Sequence, residues 1–194
     1  MGIKCPPAMF HEYPGFDPPI ARLFALANTP FDAAVFKTAR EAIAPFDART
    51  SDDALWSFPF DPCGGPRLLV AVDQDMARVD CAILSICWWE TFLRMQHDSE
   101  ESFAAERSEF DRRFEAAWAA TVVLLGPPLL SGSDPDDGFR HAVWRGRTGL
   151  LVVQQSNYDC QFGDDINYWV ERWSGPDPRP TSPFIDWLTG HPVQ

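Results

Sequence analysis

Apolar residues recur along this chain first at helical spacing, then at strand spacing, then at helical spacing again. Ile20, Leu23, Phe24 and Ala27 share one helical face behind Asp17 and Pro18. That pair reads as a cap with proline at the first helical position, where its missing N–H costs nothing. Thr29-Pro30-Phe31-Asp32 opens a second helix in the same way, with Phe31, Val35, Ala39 and Ala42 on one face and Pro45 as the stop. Residues 45–66 are rich in Pro, Asp and Gly and read as a long loop whose aromatics, Trp56, Phe58 and Phe60, pack onto the core. Residues 67–73 read as a strand, and Gln74-Asp75 as a turn. From Val79 to Trp89 both alternating sets are mostly apolar, as in a central strand covered on both faces. Helix is the rival reading there, because Met76, Val79, Ile83, Ile86 and Glu90 also fit helical spacing.

The strongest pattern spans 99–125, where Phe103, Phe110, Phe114, Trp118, Thr121 and Leu125 fall on one helical face. Asp98 and Glu101 form a capping-box pattern, Glu109 and Arg113 can pair, and Gly126 followed by Pro127-Pro128 ends the helix. A polar loop at 131–138 follows, then strands at 139–144, 150–155 and 166–173. The tail is rich in proline and carries one apolar patch, Phe184, Ile185, Trp187 and Leu188. Helices, two strands, one long helix and three hairpin-linked strands predict an α+β fold. Its sheet is mostly antiparallel, with the long helix packed on one face and N-terminal helices beside it. We read 1–194 as one domain: a helical segment at 1–45, the 45–66 loop, a sheet–helix–sheet core at 67–173 and the tail at 174–194.

Charge narrows the function. Sixteen basic against 28 acidic residues give a net charge of -12 over 194 residues. Such a chain repels phosphates and is a poor nucleic-acid binder. The first residues show no apolar signal-peptide core, and no apolar run is long enough to span a bilayer. Five scattered cysteines without C-x-x-C spacing suggest reduced thiols. The expectation is a cytoplasmic protein with no membrane contact.

Candidate chemistry is sparse. Asp134, Asp136 and Asp137 before Gly138 resemble the start of a calcium loop, yet the position that needs a bidentate Glu holds Arg145. A solvated acidic turn is the better reading, and no metal or other cofactor is expected. Cys160 beside Asp159 has no base in a nucleophile motif, so no catalytic residue is assigned and the chain is read as a non-enzyme. The tryptophans read as core. Gln154, Gln155, Asn157, Asp159, Gln161, Asp164, Asp165 and Asn167 form a dense polar stretch carrying Tyr158 and Phe162. It reads equally as a polar hairpin and as a binding surface.

The stretch from Phe114 to Trp173 also has a recurring look. A helix ends in Leu-Leu-Gly-Pro-Pro and an acidic loop follows. Then come Ala142-Val143-Trp144, Leu151-Val152-Val153-Gln154-Gln155, Asp159, Gln161-Phe162-Gly163 and Tyr168-Trp169-Val170. This resembles small acidic bacterial immunity-type proteins. The resemblance covers about a third of the chain and implies a cytosolic, catalytically silent protein that binds one toxin domain. It transfers no site residues.

The resulting expectation is an acidic protein-binding module for a basic partner. Asp134, Asp136, Asp137, Tyr158, Asp159, Asp164 and Asp165 are the candidate contacts: acids on the rim, Tyr158 as an anchor. The alternative is a small-ligand binder or enzyme with a pocket between the sheet and the 45–66 loop. A structural or chaperone-like subunit is a third reading.

Overall fold

The structure is a computed structural model that describes residues 10–13, 15–40, 46–50, 68–73, 77–89, 100–134, 138–159 and 163–179. At 38–40, 46–50, 100, 157–159 and 163 it describes the backbone alone. In chain order the elements are β1 (Phe10–Glu12), α1 (Ile20–Leu26), α2 (Ala33–Arg40), β2 (Phe46–Thr50), β3 (Leu68–Val72) and β4 (Val79–Trp89). Then follow α3 (Glu100–Leu125), β5 (Leu130–Ser133), β6 (Arg140–Arg145), β7 (Gly149–Asp159) and β8 (Gly163–Arg172). The strands form one sheet in the order β2-β3-β4-β8-β7-β6-β5, with β1 paired to the far end of β4. Every pairing is antiparallel except β2 with β3. The fold is α+β, and α3 lies across one face.

The contested stretch Val79–Trp89 is a strand because it has partners on both edges and a core on both faces. Ala82 and Leu84 point to the helix side, where they join Phe110, Phe114, Leu151, Val153, Ile166 and Tyr168. Cys81 and Ile83 point the other way, onto Leu69, Ala71 and Trp169. Strict alternation would then send Trp88 to the helix side. A register shift between Ser85 and Cys87 resets the phase, so Cys87 and Trp89 rejoin the helix-side core instead. Trp89 packs there on Phe103 and Phe110, with ring centroids 5.3 and 5.1 Å away, and its indole N–H donates to the buried Glu106 carboxylate at 3.1 Å. Cys81 and Cys87 are free thiols.

The long helix follows its predicted face. Phe110, Phe114 and Thr121 are fully buried, and Gly126 ends the helix at φ +83. The expected pair forms, with Arg113 Nε 2.9 Å from a Glu109 carboxylate oxygen, and Arg113 also pairs with Glu12. Asp98 lies outside the described residues, as do most of 45–66 and the apolar patch at 184–188.

The N-terminal helices start later than their prolines suggest. Pro19, not Asp17, precedes α1, and no side chain caps it. For α2 the cap is Asp32, whose Oδ1 accepts from the backbone N–H groups of Ala34 and Val35, while the Thr29 hydroxyl donates back to Ala25 O. Three strands depart from the sequence expectation: β1, β2 inside the expected 45–66 loop, and β5, which starts at Leu130 and runs into the expected polar loop.

The β6–β7 turn holds α1 in place. The backbone N–H and hydroxyl of Thr148 both donate to Ala27 O, the hydroxyl also to Thr29 O, and Arg147 N donates to Asn28 Oδ1. The bonds to Ala27 O satisfy a carbonyl that the end of α1 leaves without a helical partner.

Candidate functional site

Of the predicted acidic contacts, Asp134, Asp159, Asp164 and Asp165 lie by their backbone at one end of the sheet. Ser133 pairs with Arg140, Ser156 with Asp165, and Trp89 with Asp164, so the loops after β5 and β7 leave the same edge. Their exposure corrects the expectation of a charged rim. Asp134, Asp164 and Asp165 are 2%, 8% and 0% exposed, so none presents its charge to solvent. Tyr158 and Asp159 belong to the end of β7 by their backbone, with their side chains outside the described residues, as are Asp136 and Asp137 entirely.

The polar stretch separates by strand alternation. Gln155 faces α3 and is structural: its Nε2 donates to Asp111 Oδ1 at 2.8 Å, and its Oε1 accepts from Arg140 N at 3.0 Å. Gln154 and Asn167 alternate with the helix-side residues Val153, Ile166 and Tyr168, so they face the opposite way. Register aligns them. Ser85 on β4 opposes Asn167 on β8, Asn167 opposes Gln154 on β7, and Gln154 opposes His141 on β6. Gly132 on β5 ends the row, where an added Cβ would sit 3.2 Å from the His141 ring.

One step along the same face, Asp165 opposes Ser156. Its Oδ1 accepts from the Ser156 hydroxyl at 2.5 Å and from Asn167 Nδ2 at 2.9 Å. Burial pushes the Asp165 carboxyl up to about 6, and the bonds from Ser156 and Asn167 hold it from rising further. The Ser85 hydroxyl lies close enough to favour ionisation as well, without meeting hydrogen-bond geometry. Burial lowers the His141 pKa while Asp134 opposes that shift, which leaves the imidazole uncharged at neutral pH.

Five atoms of this cluster are buried without a hydrogen-bond partner: Ser85 Oγ, His141 Nδ1, Gln154 Oε1, Asp165 Oδ2 and Asn167 Oδ1. Each such group costs roughly 1–3 kcal/mol. Sequence reasoning named Gln154 and Asn167 as polar but did not select them, and it missed Ser85, His141 and Ser156. The available signal was the polar residue in each alternate set of otherwise apolar strands.

A separate cavity of about 690 Å3 lies on the helix side. Phe10, Tyr13, Phe16 and Ile20 form one wall, Ala116, Ala117 and Ala120 of α3 another, and Arg113 with Glu12 brings charge to it. Most of the 45–66 loop, beside which a pocket was expected, lies outside the described residues. Among the described residues, no group of His, Cys, Asp and Glu is arranged to hold a metal ion, and no helix is long and apolar enough to cross a membrane. Comparison with protein-family models, curated proteins and solved structures finds no match for this chain.

Proposed function

We propose that this chain is an acidic binding module for a basic protein, with neutralisation of a toxin in the cytosol as the specific form of that role. The observation that carries it is where the positive charge sits within a chain of net charge -12. Arg78, Arg107, Arg112, Arg113, Arg140, Arg145 and Arg172 each lie within ion-pair distance of an acid of the same chain. An approaching partner meets the surplus of acids, which steers a basic protein and repels an acidic one. The steering charges must be exposed ones. Asp17 and Glu101 qualify, whereas the buried Asp164 and Asp165 do not.

The test is capture of a partner from the native host, then association kinetics at two salt concentrations. A basic partner whose association slows with salt, and slows again with Asp17→Lys and Glu101→Lys together, supports the reading. An acidic partner, or a basic one whose association ignores both salt and the two reversals, sinks it. A small-ligand role is favoured by one observation, the helix-side cavity, whose size suits a small molecule. Native mass spectrometry of the protein and of Ala116→Trp checks that reading: a bound small molecule should be lost when the cavity is filled.

A further inference from the structure

We propose that the helix-side cavity binds a small arylalkyl amine, with the ammonium on the Asp17 carboxylate and the ring between Phe16 and the alanines of α3. This rests on the small-ligand reading of the cavity and adds the chemistry of the ligand. Room is present: about 690 Å3, within the roughly 300–1,000 Å3 of small-molecule pockets. A way in is present too, because Glu12, Gly15, Asp17, Ala116 and Ala120 line the cavity and are exposed to solvent. Phe16, Ile20 and Ile86 supply apolar lining, and Ala116, Ala117 and Ala120 keep the α3 side low, since each sends out only a methyl group. A flat apolar ring suits such walls.

Charge decides the polar end. The lining holds two acids, Glu12 and Asp17, against one base, Arg113. Arg113 is neutralised within the chain: it pairs with Glu12, its Nε lies 2.9 Å from a Glu109 oxygen, and its guanidinium sits 4.6 Å over the Phe10 ring. Asp17 is not neutralised. The sequence marks it as a helix cap, yet no side chain caps α1, and among the described residues no hydrogen bond or ion pair engages its carboxylate. Burial pushes the Tyr168 hydroxyl up to about 12, and the Asp17 charge adds to that push across the cavity both residues line. One negative charge is left over, and one ammonium balances it. A neutral ligand would strip water from the carboxylate without replacing it. The rings of Tyr13 and Phe16, with centroids 6.0 Å apart, add the attraction of aromatic faces for a cation.

The probes are tryptamine, its neutral counterpart tryptophol and the acid indolepropionate, which share an indole body and differ in charge. Calorimetric titration at matched ionic strength reads their affinities. Tryptamine should bind roughly tenfold more tightly than tryptophol, and indolepropionate more weakly than either. Asp17→Asn should weaken tryptamine by roughly the same factor and leave tryptophol unchanged. Its melting temperature should match the parent's, because Asp17 is exposed and caps no helix. Ala116→Trp, which fills the cavity, should abolish binding of both. The capped peptide acetyl-Gly-Lys-Gly-amide offers the same ammonium without a ring and should bind far more weakly; binding equal to tryptamine's makes a partner's lysine the source and overturns the small-molecule ligand. Equal binding of tryptophol or indolepropionate, lost in Ala116→Trp, overturns the amine and keeps the small-ligand reading. Tryptamine binding unchanged by Asp17→Asn or by Ala116→Trp overturns the site. Failure of all three indoles to bind also overturns it, while native mass spectrometry decides the small-ligand reading separately.

Discussion

Asp165 keeps its proton to a higher pH than an ordinary aspartate, and solution pH reveals it. Its folded pKa of about 6 lies above the ordinary 3.8, so between those values the folded protein binds a proton that the unfolded chain does not. Stability from this group therefore rises as pH falls through about 6 and is lost again as pH climbs back. Two units correspond to about 3 kcal/mol at most. Burial also raises Glu171, to about 7, against a hydrogen bond from the Trp169 indole, and it acts with the same sign on a partly exposed residue. Asp73 and Glu109 have lowered pKa values, from a backbone hydrogen bond of Arg78 and from the Arg112 side chain respectively, and oppose the trend only in stronger acid. The melting temperature should rise between pH 7.5 and 5.5, with His141, whose pKa burial lowers, opposing the rise, and Asp165→Asn should flatten only part of it, because Glu171 with its higher pKa titrates more fully within this interval. A melting temperature that falls over this interval in the parent protein would contradict the buried, raised carboxyl. Single-residue chemistry of this kind was only half legible. The polar stretch around Asp165 stood out in the sequence, but charge counting took it for a solvated rim, because nothing local marks an acid as facing inward from a central strand.

Among the elements, α3 and the β4–β8 core were legible because their periods are long and their apolar residues large. Phe110 and Phe114 fall one turn apart on the predicted face and are both fully buried. Phe114→Ala should cost about 3–5 kcal/mol, read as a lower denaturation midpoint with an unchanged slope. Part of that loss is contact with the Arg140 guanidinium, 5.3 Å from the Phe114 ring centroid. The short strands were not legible. β5 reads Leu-Ser-Gly-Ser at the sheet edge, and β2 lies at the opposite edge, paired among the described residues with β3 alone. Such strands exist because a neighbour offers its free edge, a fact no local period encodes. The row from Ser85 to His141 was hidden for the same reason, since it exists only once four strands are in register. A tighter constraint sits where the β6–β7 turn meets α1. A Cβ at Gly146 would lie 2.4 Å from Ala27 O, a backbone atom that cannot swing aside. Gly146→Ala should destabilise by roughly 1–3 kcal/mol, and by more than Gly132→Ala, where an added Cβ meets the His141 side chain at 3.2 Å rather than a backbone atom. Urea denaturation of the two variants side by side decides this.

At the scale of the whole molecule, the sheet order divides the chain into two sets of strands that meet at one seam. The C-terminal strands β5, β6, β7 and β8 are consecutive neighbours, each joined to the next by a short connection. The seam joins β4 to β8, pairing Cys81–Trp89 with Asp164–Glu171 across the length of α3 and three strands. In kinetic terms the two joints are unequal. A hairpin closes in about 1–10 μs, whereas bringing distant segments together carries a loop-closure cost that grows with the intervening chain. The C-terminal meander can therefore form early, with β4 docking late onto its finished edge. Destabilising substitutions inside the meander, such as Val152→Ala, should slow refolding. Leu84→Ala on the seam should instead act mainly by speeding unfolding, so that the two variants move opposite arms of the chevron. Until β4 arrives, β8 holds out a row of unpaired backbone groups, and that interval is when a crowded solution offers this protein the wrong strand.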